Sequence, residues 1–453
     1  MVHDIASLLW MVRDELLFFA MIGYVIVGLG EVAIDLLWLG QMSRTRLVRD
    51  TRAPRYLEDL PQPRTPGRIA IFVPAWKEDG VIADMLRHAL RVWEAASFRI
   101  YVGCYQNDLA TISQVLALGQ SRVRLVYHCT NGPTTKADCL NAIYHAMHAD
   151  EARHGRFKAI LLHDAEDLVH PDELQICDSL SEHYALVQLP VLPLRTRGSP
   201  WISGHYLDEF AQAHSRDLCV RQMLGAGIPS AGVGTILSRD ILDDLATAQN
   251  GLPFALGSLT EDYELGLRIA ALGKRTAFVR IRTRGAGDIV ASRAHFPDRL
   301  RAATRQKTRW TIGIAFAGWD RLGWTASLSE NWMRLRDRQA AFTTLFLVAG
   351  YAAMGMTAGL YLLAGHNEEP RSSLAASLLT VTLCLLLWRL AIRAICVARH
   401  YGWQEALIAI PRSFTSNLVL ILATRRAVAG YRHFLTTGRL IWDKTRHKSP
   451  LEL

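Results

Sequence analysis

Residues 68 to 79 read RIAIFVPAWKED and residues 157 to 167 read FKAILLHDAED. Each is a short apolar run that stops abruptly in a polar cluster, the pattern of a strand buried on both faces whose carboxyl end opens onto a ligand. Asp79 to Ala95 carries helical periodicity, Phe98 to Tyr105 (FRIYVGCY) and Val123 to Cys129 read as strands, and Lys136 to Ala149 reads as a helix. Strands separated by helices predict a mostly parallel sheet with helices on both faces. In such sheets ligands bind beyond the carboxyl ends of the strands, so Pro74 to Asp79, Tyr105 to Asp108 and His163 to Asp167 locate the site before any motif is considered.

The chain has 453 residues, a net charge of +9, 50% hydrophobic and 21% charged residues, and a mean hydropathy of +0.11. The hydropathy is high for a soluble protein of this length and the charged fraction too high for a transporter made only of spans, so a soluble domain joined to a few spans is expected. The seven cysteines are scattered without a CxxC pair, which argues for reduced structural thiols. No cleavable targeting signal fits the N-terminus, whose long apolar run reads as a retained anchor.

A span needs about 20 mostly apolar residues. The sequence divides into an external N-terminus (1–15), a span from Leu16 to Gly40, a basic and proline-rich linker (41–67), a soluble domain (68–338), and spans at Ala340 to Gly365 and Leu374 to Val397 around the acidic loop His366 to Pro370. Glu31 and Asp35 interrupt the first span near one end, four residues apart on one helical face. They read either as carboxylates snorkelling to the headgroups or as partners of basic residues on another helix. Arginines at 44, 46, 49, 52, 55, 334, 336, 338, 389, 393 and 399 cluster at one end of each span, which places the N-terminus outside and the soluble domain in the cytoplasm. The stretch Trp403 to Thr424 contains Glu405, Pro411, Arg412 and Asn417. Spanning would export the basic tail that follows (425–453, with Arg425, Arg426, Arg432, Arg439, Lys444, Arg446 and Lys448), so an interfacial or re-entrant segment is expected. Membrane apposition accounts for the basic balance, and no nucleic-acid motif competes for it.

Several clusters carry chemistry. Asp164 and Glu166, alternating at a strand end, can converge hard oxygens on Mg²⁺ or Mn²⁺, although a solvated acidic turn would read the same way. Glu261 and Asp262 can supply a general base or simply load a helix N-terminus. Gln306 and Arg309 share a helical face that suits phosphate, beside the planar surface of Trp310; an interfacial aromatic and basic belt is the structural alternative. Lys136 follows a turn and suits an anion, while Thr134 or Thr135 caps the helix. His163 reads as a core histidine, Ser230 to Thr235 (SAGVGT) as a tight turn lacking the ending of a P-loop, and Tyr206, Asp208 and Glu209 as part of an amphipathic helix.

In order and spacing, VPAWKED, QND (Gln106 to Asp108), TTKADCLN (Thr134 to Asn141), HDAED, TED (Thr260 to Asp262) and QKTRW resemble the processive, inverting family 2 glycosyltransferases, from about Arg68 to Trp310. The flanking spans match the layout of cellulose and hyaluronan synthases. Finer blocks, PSAGVGT, LTEDYELG, RQKTRWTIGI and WDKT (Trp442 to Thr445), are similar to a bacterial inner-membrane branch of that family. The resemblance implies an α/β GT-A, Rossmann-like cytosolic domain plus a helical transmembrane region. It implies Trp76, Glu78, Asn107 and Asp108 around the base and ribose of a UDP-sugar, Lys136 and Asp164 on the diphosphate side, and Asp164 with Glu166 or Asp167 on Mg²⁺ or Mn²⁺. Asp262, with Glu261 beside it, would activate the acceptor, and Gln306, Arg309 and Trp310 would hold pyrophosphate or the acceptor sugar. The expected product is an exopolysaccharide extended on a glycan acceptor in the inner-membrane lipid, with an outer-membrane export protein or a homo-oligomer completing the route. Transfer of one sugar to a lipid-linked acceptor, and a silent scaffold for glycan export or phage adsorption, are the alternatives. Relatives in that branch often continue into a nucleotide-second-messenger domain, a control not expected here because the sequence stops at Leu453.

Overall fold

The computed structural model describes residues 2–47, 55–283, 287–364, 373–437 and 449–450. Linker residues 48–54, the acidic loop His366 to Pro370, and the tail from Arg439 to Lys448 with its WDKT block lie outside the described residues.

Seven strands form one sheet: β1 (Ile69–Pro74), β2 (Phe98–Tyr105), β3 (Val123–His128), β4 (Ala159–Leu162), β5 (Leu186–Gln188), β6 (Thr235–Ser238) and β7 (Thr276–Phe278). Their order is β3-β2-β1-β4-β6-β5-β7, and only β6 runs against its neighbours. The four strands expected from the apolar runs are the parallel half of this sheet. The sequence pattern does not reveal β5, β6 and β7, because three or four residues carry too little periodicity to be read.

Burial on both faces follows from the two-residue repeat of a strand. Ile69, Ile71 and Val73 of β1 join Ile100, Val102, Ala159 and Leu161 in one core layer, closed by helices Ile82–Val92, Leu109–Leu116 and Glu173–Leu180. Ala70 and Phe72 point the other way, joining Tyr101, Ile160 and Leu162 under helices Lys136–His154, Arg239–Ala248 and Glu261–Ala271. The carboxyl ends of β1, β2 and β4 therefore face a common edge.

Among the described residues four helices are long and apolar enough to cross a membrane: Ser7–Arg44 within Val2–Leu47, Ala340–Leu363, Ser373–Tyr401 and Trp403–Thr437. The first packs along the second and third; at Gly23 a β-carbon would lie 2.2 Å from the ring of Phe346, so only glycine permits that approach. The last helix runs unbroken through Pro411 and beyond Thr424 to Thr437.

Of the two readings of Glu31 and Asp35, pairing is what the structure shows. Arg216, in a π-helical turn of the soluble domain, places its guanidinium 2.7 Å from Glu31 Oε2 and 2.5 Å from Asp35 Oδ1. Arg336 reaches the other oxygen of Glu31 at 2.9 Å, Trp388 donates to Asp35 at 2.8 Å, and Trp38 donates to the Ser215 carbonyl at 2.8 Å. A second interlock joins Arg412 of the last helix to Asp208, two parallel bonds of 2.7 and 2.8 Å between fully buried side chains. Removing one partner of a buried pair strands the other charge at a cost of about 3–5 kcal/mol. Arg216→Met is therefore expected to destabilise the detergent-solubilised protein by that amount in an unfolding titration, and adding Glu31→Gln and Asp35→Asn should recover most of it. A single-variant loss below about 1 kcal/mol would show that the network contributes no stability.

Candidate active site

The site is assembled from strand ends and helix starts. Lys136 opens helix Lys136–His154, which Thr135 caps in a reciprocal box with Asp138: the Asp138 amide donates to Thr135 Oγ1 and the Thr135 amide to the Asp138 carboxylate. The capping alternative and the anion-binding alternative thus fall on different residues, since Thr135 caps while Lys136 is left to reach forward. Its Nζ lies 2.6 Å from Asp164 Oδ1 at the end of β4. Burial alone would lower the Lys136 pKa, but Asp164, Glu261 and Asp262 outweigh it and raise the value, keeping the ammonium charged.

Glu261 and Asp262 begin helix Glu261–Ala271, where Asp262 Oδ1 accepts from the Tyr263 amide at 2.7 Å. Burial, with the Asp262 charge beside it, pushes the Glu261 carboxyl up to about 7, and burial likewise raises Asp262 against the pull of Lys136. Opposite them, helix Leu300–Trp310 presents Gln306, Arg309 and Trp310. Lys136, Asp164, Glu166, Glu261, Asp262, Gln306, Arg309, Trp310 and Glu78 all line one cavity of about 950 Å³. The buried Gln306 Oε1 has no hydrogen-bond partner among the described residues.

Asp167 borders the same cavity, but its carboxylate is committed to His163 Nδ1 at 2.7 Å and to the Asp164 amide at 3.1 Å. His163 is wholly buried and its Nε2 meets Glu173 at 2.7 Å. Burial by itself would lower that imidazole, yet Glu173 and Asp167 outweigh it and hold it up at about 10. His163 is thus a core strut beneath the acidic turn that holds Asp167, while Asp164 and Glu166 both border the cavity. Among the described residues no three acidic, histidine or cysteine side chains close on one point. A pair of carboxylates fits an ion shared with a substrate diphosphate, as Mg²⁺ and Mn²⁺ sites of hard oxygens often are.

The remaining sequence candidates are placed differently. Trp76 is buried edge-on to Tyr105, with ring centroids 5.1 Å apart, and does not line the cavity. Asn107 braces Gly132 through two bonds of 2.9 Å, one from each side of its amide. Asp108 caps helix Leu109–Leu116 and accepts from the Lys77 amide at 2.5 Å. None of these three lines the cavity: Trp76 and Asn107 pack against the loop at Gly132, and Asp108 caps a helix.

Other residues complete the site, among them the SAGVGT turn that the sequence already marks as tight. Gly232 of the SAGVGT turn has φ of +75°, and a β-carbon there would stand 2.8 Å from Asp262 Oδ2 and 3.2 Å from Lys136 Nζ. The turn therefore needs glycine both for its backbone and to let these two groups approach. Arg216, Arg336, Arg389 and Glu31 extend the cavity wall to the membrane helices. Phe210 and Gln212 line it from helix Gly204–Gln212, whereas Tyr206 of that helix packs edge-on to Trp310.

The glycosyltransferase-like family 2 matches residues 66–313. The chain belongs to this family. It is 34% identical over 456 residues to bacteriophage adsorption protein B of Escherichia coli K12, and equally to bacteriophage N4 adsorption protein B of E. coli O157:H7. Each alignment covers 94% of this chain, and the chain spans 60% of the length of each relative. Among solved structures, the mannosyltransferase PcManGT of Pyrobaculum calidifontis, in complex with GDP-Man and Mn²⁺, aligns with a TM-score of 0.54 at 16% identity, covering 91% of this chain and 99% of that one. The family 2 domain thus has a GT-A-like fold, joined here to several apolar helices.

The geometry at Gly232 makes a direct test. Gly232→Ala imposes an unfavourable backbone conformation, worth about 1–3 kcal/mol of stability, and pushes on the Asp262 carboxylate. A lower melting temperature together with a rotated Asp262 side chain in a structure of the variant is expected; an unchanged Asp262 would show that the turn is not what positions it.

Proposed function

We propose that this chain is a membrane-embedded, inverting glycosyltransferase that moves a sugar from a nucleoside diphosphate sugar, with UDP as the favoured nucleotide, onto a growing glycan. The observation that carries the reading is one cavity holding a paired ammonium and carboxylate, the adjacent carboxylates of Glu261 and Asp262, and the Gln306, Arg309, Trp310 face.

In this mechanism the anomeric C–O bond to the diphosphate breaks and the bonding electrons leave with the diphosphate. Lys136 and Arg309 stabilise that developing charge. Asp262 takes the proton of the acceptor hydroxyl, whose oxygen forms the new bond from the opposite face of the sugar, inverting the centre. Asp164 and Glu166 would hold Mg²⁺ or Mn²⁺, which when bound supplies Lewis-acid neutralisation of the diphosphate. Trp310 offers the acceptor sugar a flat apolar surface.

Polymer extension into the membrane is favoured because the cavity wall continues from Asp262 to Glu31 and Arg389 on two membrane helices. The placement proposed is a multi-pass protein of the bacterial inner membrane with its catalytic domain in the cytoplasm. The last helix fits the membrane surface better than a span. Near its start Tyr401 donates to the Pro193 carbonyl at 2.8 Å, and toward its end Tyr431 stacks on Phe316 and bonds Asp320. Its 35 residues extend about 52 Å, so a crossing helix would carry one end well away from the domain that both ends touch. Three spans are few for a glycan pore, so a dimer or a separate export protein completes the proposal. An envelope glycan made this way would account for the phage-adsorption names of the E. coli relatives.

The purified full chain, supplied with a panel of UDP- and GDP-sugars and Mn²⁺ or Mg²⁺, is expected to release nucleoside diphosphate from one donor. Chelation should abolish release, and Asp262→Asn should slow it by about 10²–10⁴. A product ladder supports extension, and a one-sugar product would replace it by single transfer; no turnover with any donor by folded protein would overturn the transferase reading. The base must be ionised, so kcat/KM should fall as pH drops through about 7, where a proton enters the Glu261 and Asp262 pair. Glu261→Gln removes a like charge and should move that acid limb to lower pH; an unmoved limb would separate the two carboxylates functionally.

A further inference from the structure

We propose that a recess at the elbow between the last two helices binds a phosphate-bearing ligand, the headgroup of an anionic phospholipid. The recess has a volume of about 400 Å³ and is lined by Arg195, Arg293, His295, His400, Tyr401 and Pro450 among others, with no carboxylate in its wall among the described residues. Three more guanidinium groups stand around it. Arg280 Nη2 is 3.4 Å from His400 Nε2, and Arg280, Arg282, Arg293 and Arg399 all bear electrostatically on the His400 imidazole.

This concentration of charge departs from the pattern elsewhere in the chain. Arg216 is matched by Glu31, Asp35 and Asp217, Arg412 by Asp208 and Glu405, and Arg239 by Glu151 and Asp243. At the elbow only Arg195 has an ion pair, at 3.5 Å to Glu405, a carboxylate that also serves Arg412. Arg280, Arg282, Arg293 and Arg399 make no ion pair among the described residues. Like charges gathered around a concave wall repel one another and are neutralised by an anion that fills it. Phosphate oxygens suit guanidinium donors in both charge and geometry.

The surroundings favour a lipid as the source of that phosphate. Arg399 lies 3.1 Å from Met42 Sδ and over the Trp38 ring, so the cluster sits where the first and third membrane helices meet the soluble domain. In the membrane placement proposed above, on which this inference rests, that is the cytoplasmic headgroup level, where basic pockets between helices take anionic lipids. The two helices that meet at the elbow carry exposed apolar side chains suited to acyl chains: Ile395, Trp403 and Leu407. The catalytic reading is not required, because binding is measured without any donor.

The test uses the full chain in nanodiscs of phosphatidylcholine with or without phosphatidylglycerol, with retained lipid counted by native mass spectrometry. The variant is Arg280→Gln with Arg293→Gln, which breaks no ion pair among the described residues, and the control is Arg122→Gln with Arg153→Gln, which removes the same charge from residues that neither line the recess nor stand around it. Wild type and control are expected to retain phosphatidylglycerol selectively, and the variant to lose at least about 10-fold in its retention. In lipid-free detergent the variant should melt at or above the wild-type temperature, because repulsion is relieved. Equal retention by wild type and variant overturns the site. Saturation by inorganic pyrophosphate with no preference for phosphatidylglycerol over phosphatidylcholine overturns the lipid assignment.

Discussion

Arg216 is shared between two carboxylates of the first membrane helix, and the relation of the catalytic domain to the bilayer depends on that contact. Two acids inside an apolar helix are costly in lipid, so the helix is stable where it lies only when something cationic and protein-borne meets them. Arg216 meets them from a π-helical turn, and Arg336 and Arg389 complete the ring from either side of the second membrane helix. Because the same groups form part of the cavity wall, the element that anchors the domain also bounds the space proposed for the acceptor. Anchoring and, in the proposed reaction, acceptor delivery are thus one construction.

The catalytic end of the cavity has the opposite electrostatic character. Around Arg216 charge is matched and buried, whereas Asp164, Glu261 and Asp262 crowd against a single lysine, and Glu261 is pushed up to about 7. In the proposed reaction an excess of carboxylate suits a site that would take a divalent ion and an acceptor proton, with the guanidinium of Arg309 across from it for the diphosphate. The sheet makes this possible at little cost to the fold. Its parallel half delivers three strand ends to one edge, and helices opening there point their N-termini at the same space.

Much of this was legible because the strands are buried on both faces. An unbroken apolar run as short as IAIFVP, closed by a polar cluster, suits a strand covered by helices above and below, and its end marks the edge of the sheet. The antiparallel β6 was not legible, since TILS is too short to show a period and its pairing is decided by β4 and β5. Within the site, residues that must project from a strand end or helix start, such as Asp164 and Asp262, could be picked out by position. Asn107 and Asp108 could not be judged in the same way. The amide that could contact a base is the amide that braces Gly132, and the carboxylate that could contact a ribose caps a helix, so residue type alone does not separate ligand contact from loop architecture.

The two ambiguous carboxylates of the first helix show where sequence reasoning stops and what resolves it. Spacing of four residues put Glu31 and Asp35 on one face, which is local information, but their partner lies 185 and 181 residues away. Nothing in the stretch around Arg216 distinguishes it from a surface arginine. The same holds for Asp208 and Arg412, separated by 204 residues and fully buried against each other. Both pairs join the soluble domain to an apolar helix, and in both the charge on the helix is what sequence rules treat as an obstacle to membrane insertion. Those charges are explained by the domain they hold, so in a protein of this build an interrupted apolar helix is better read as a docking surface for its own catalytic domain than as a defective span.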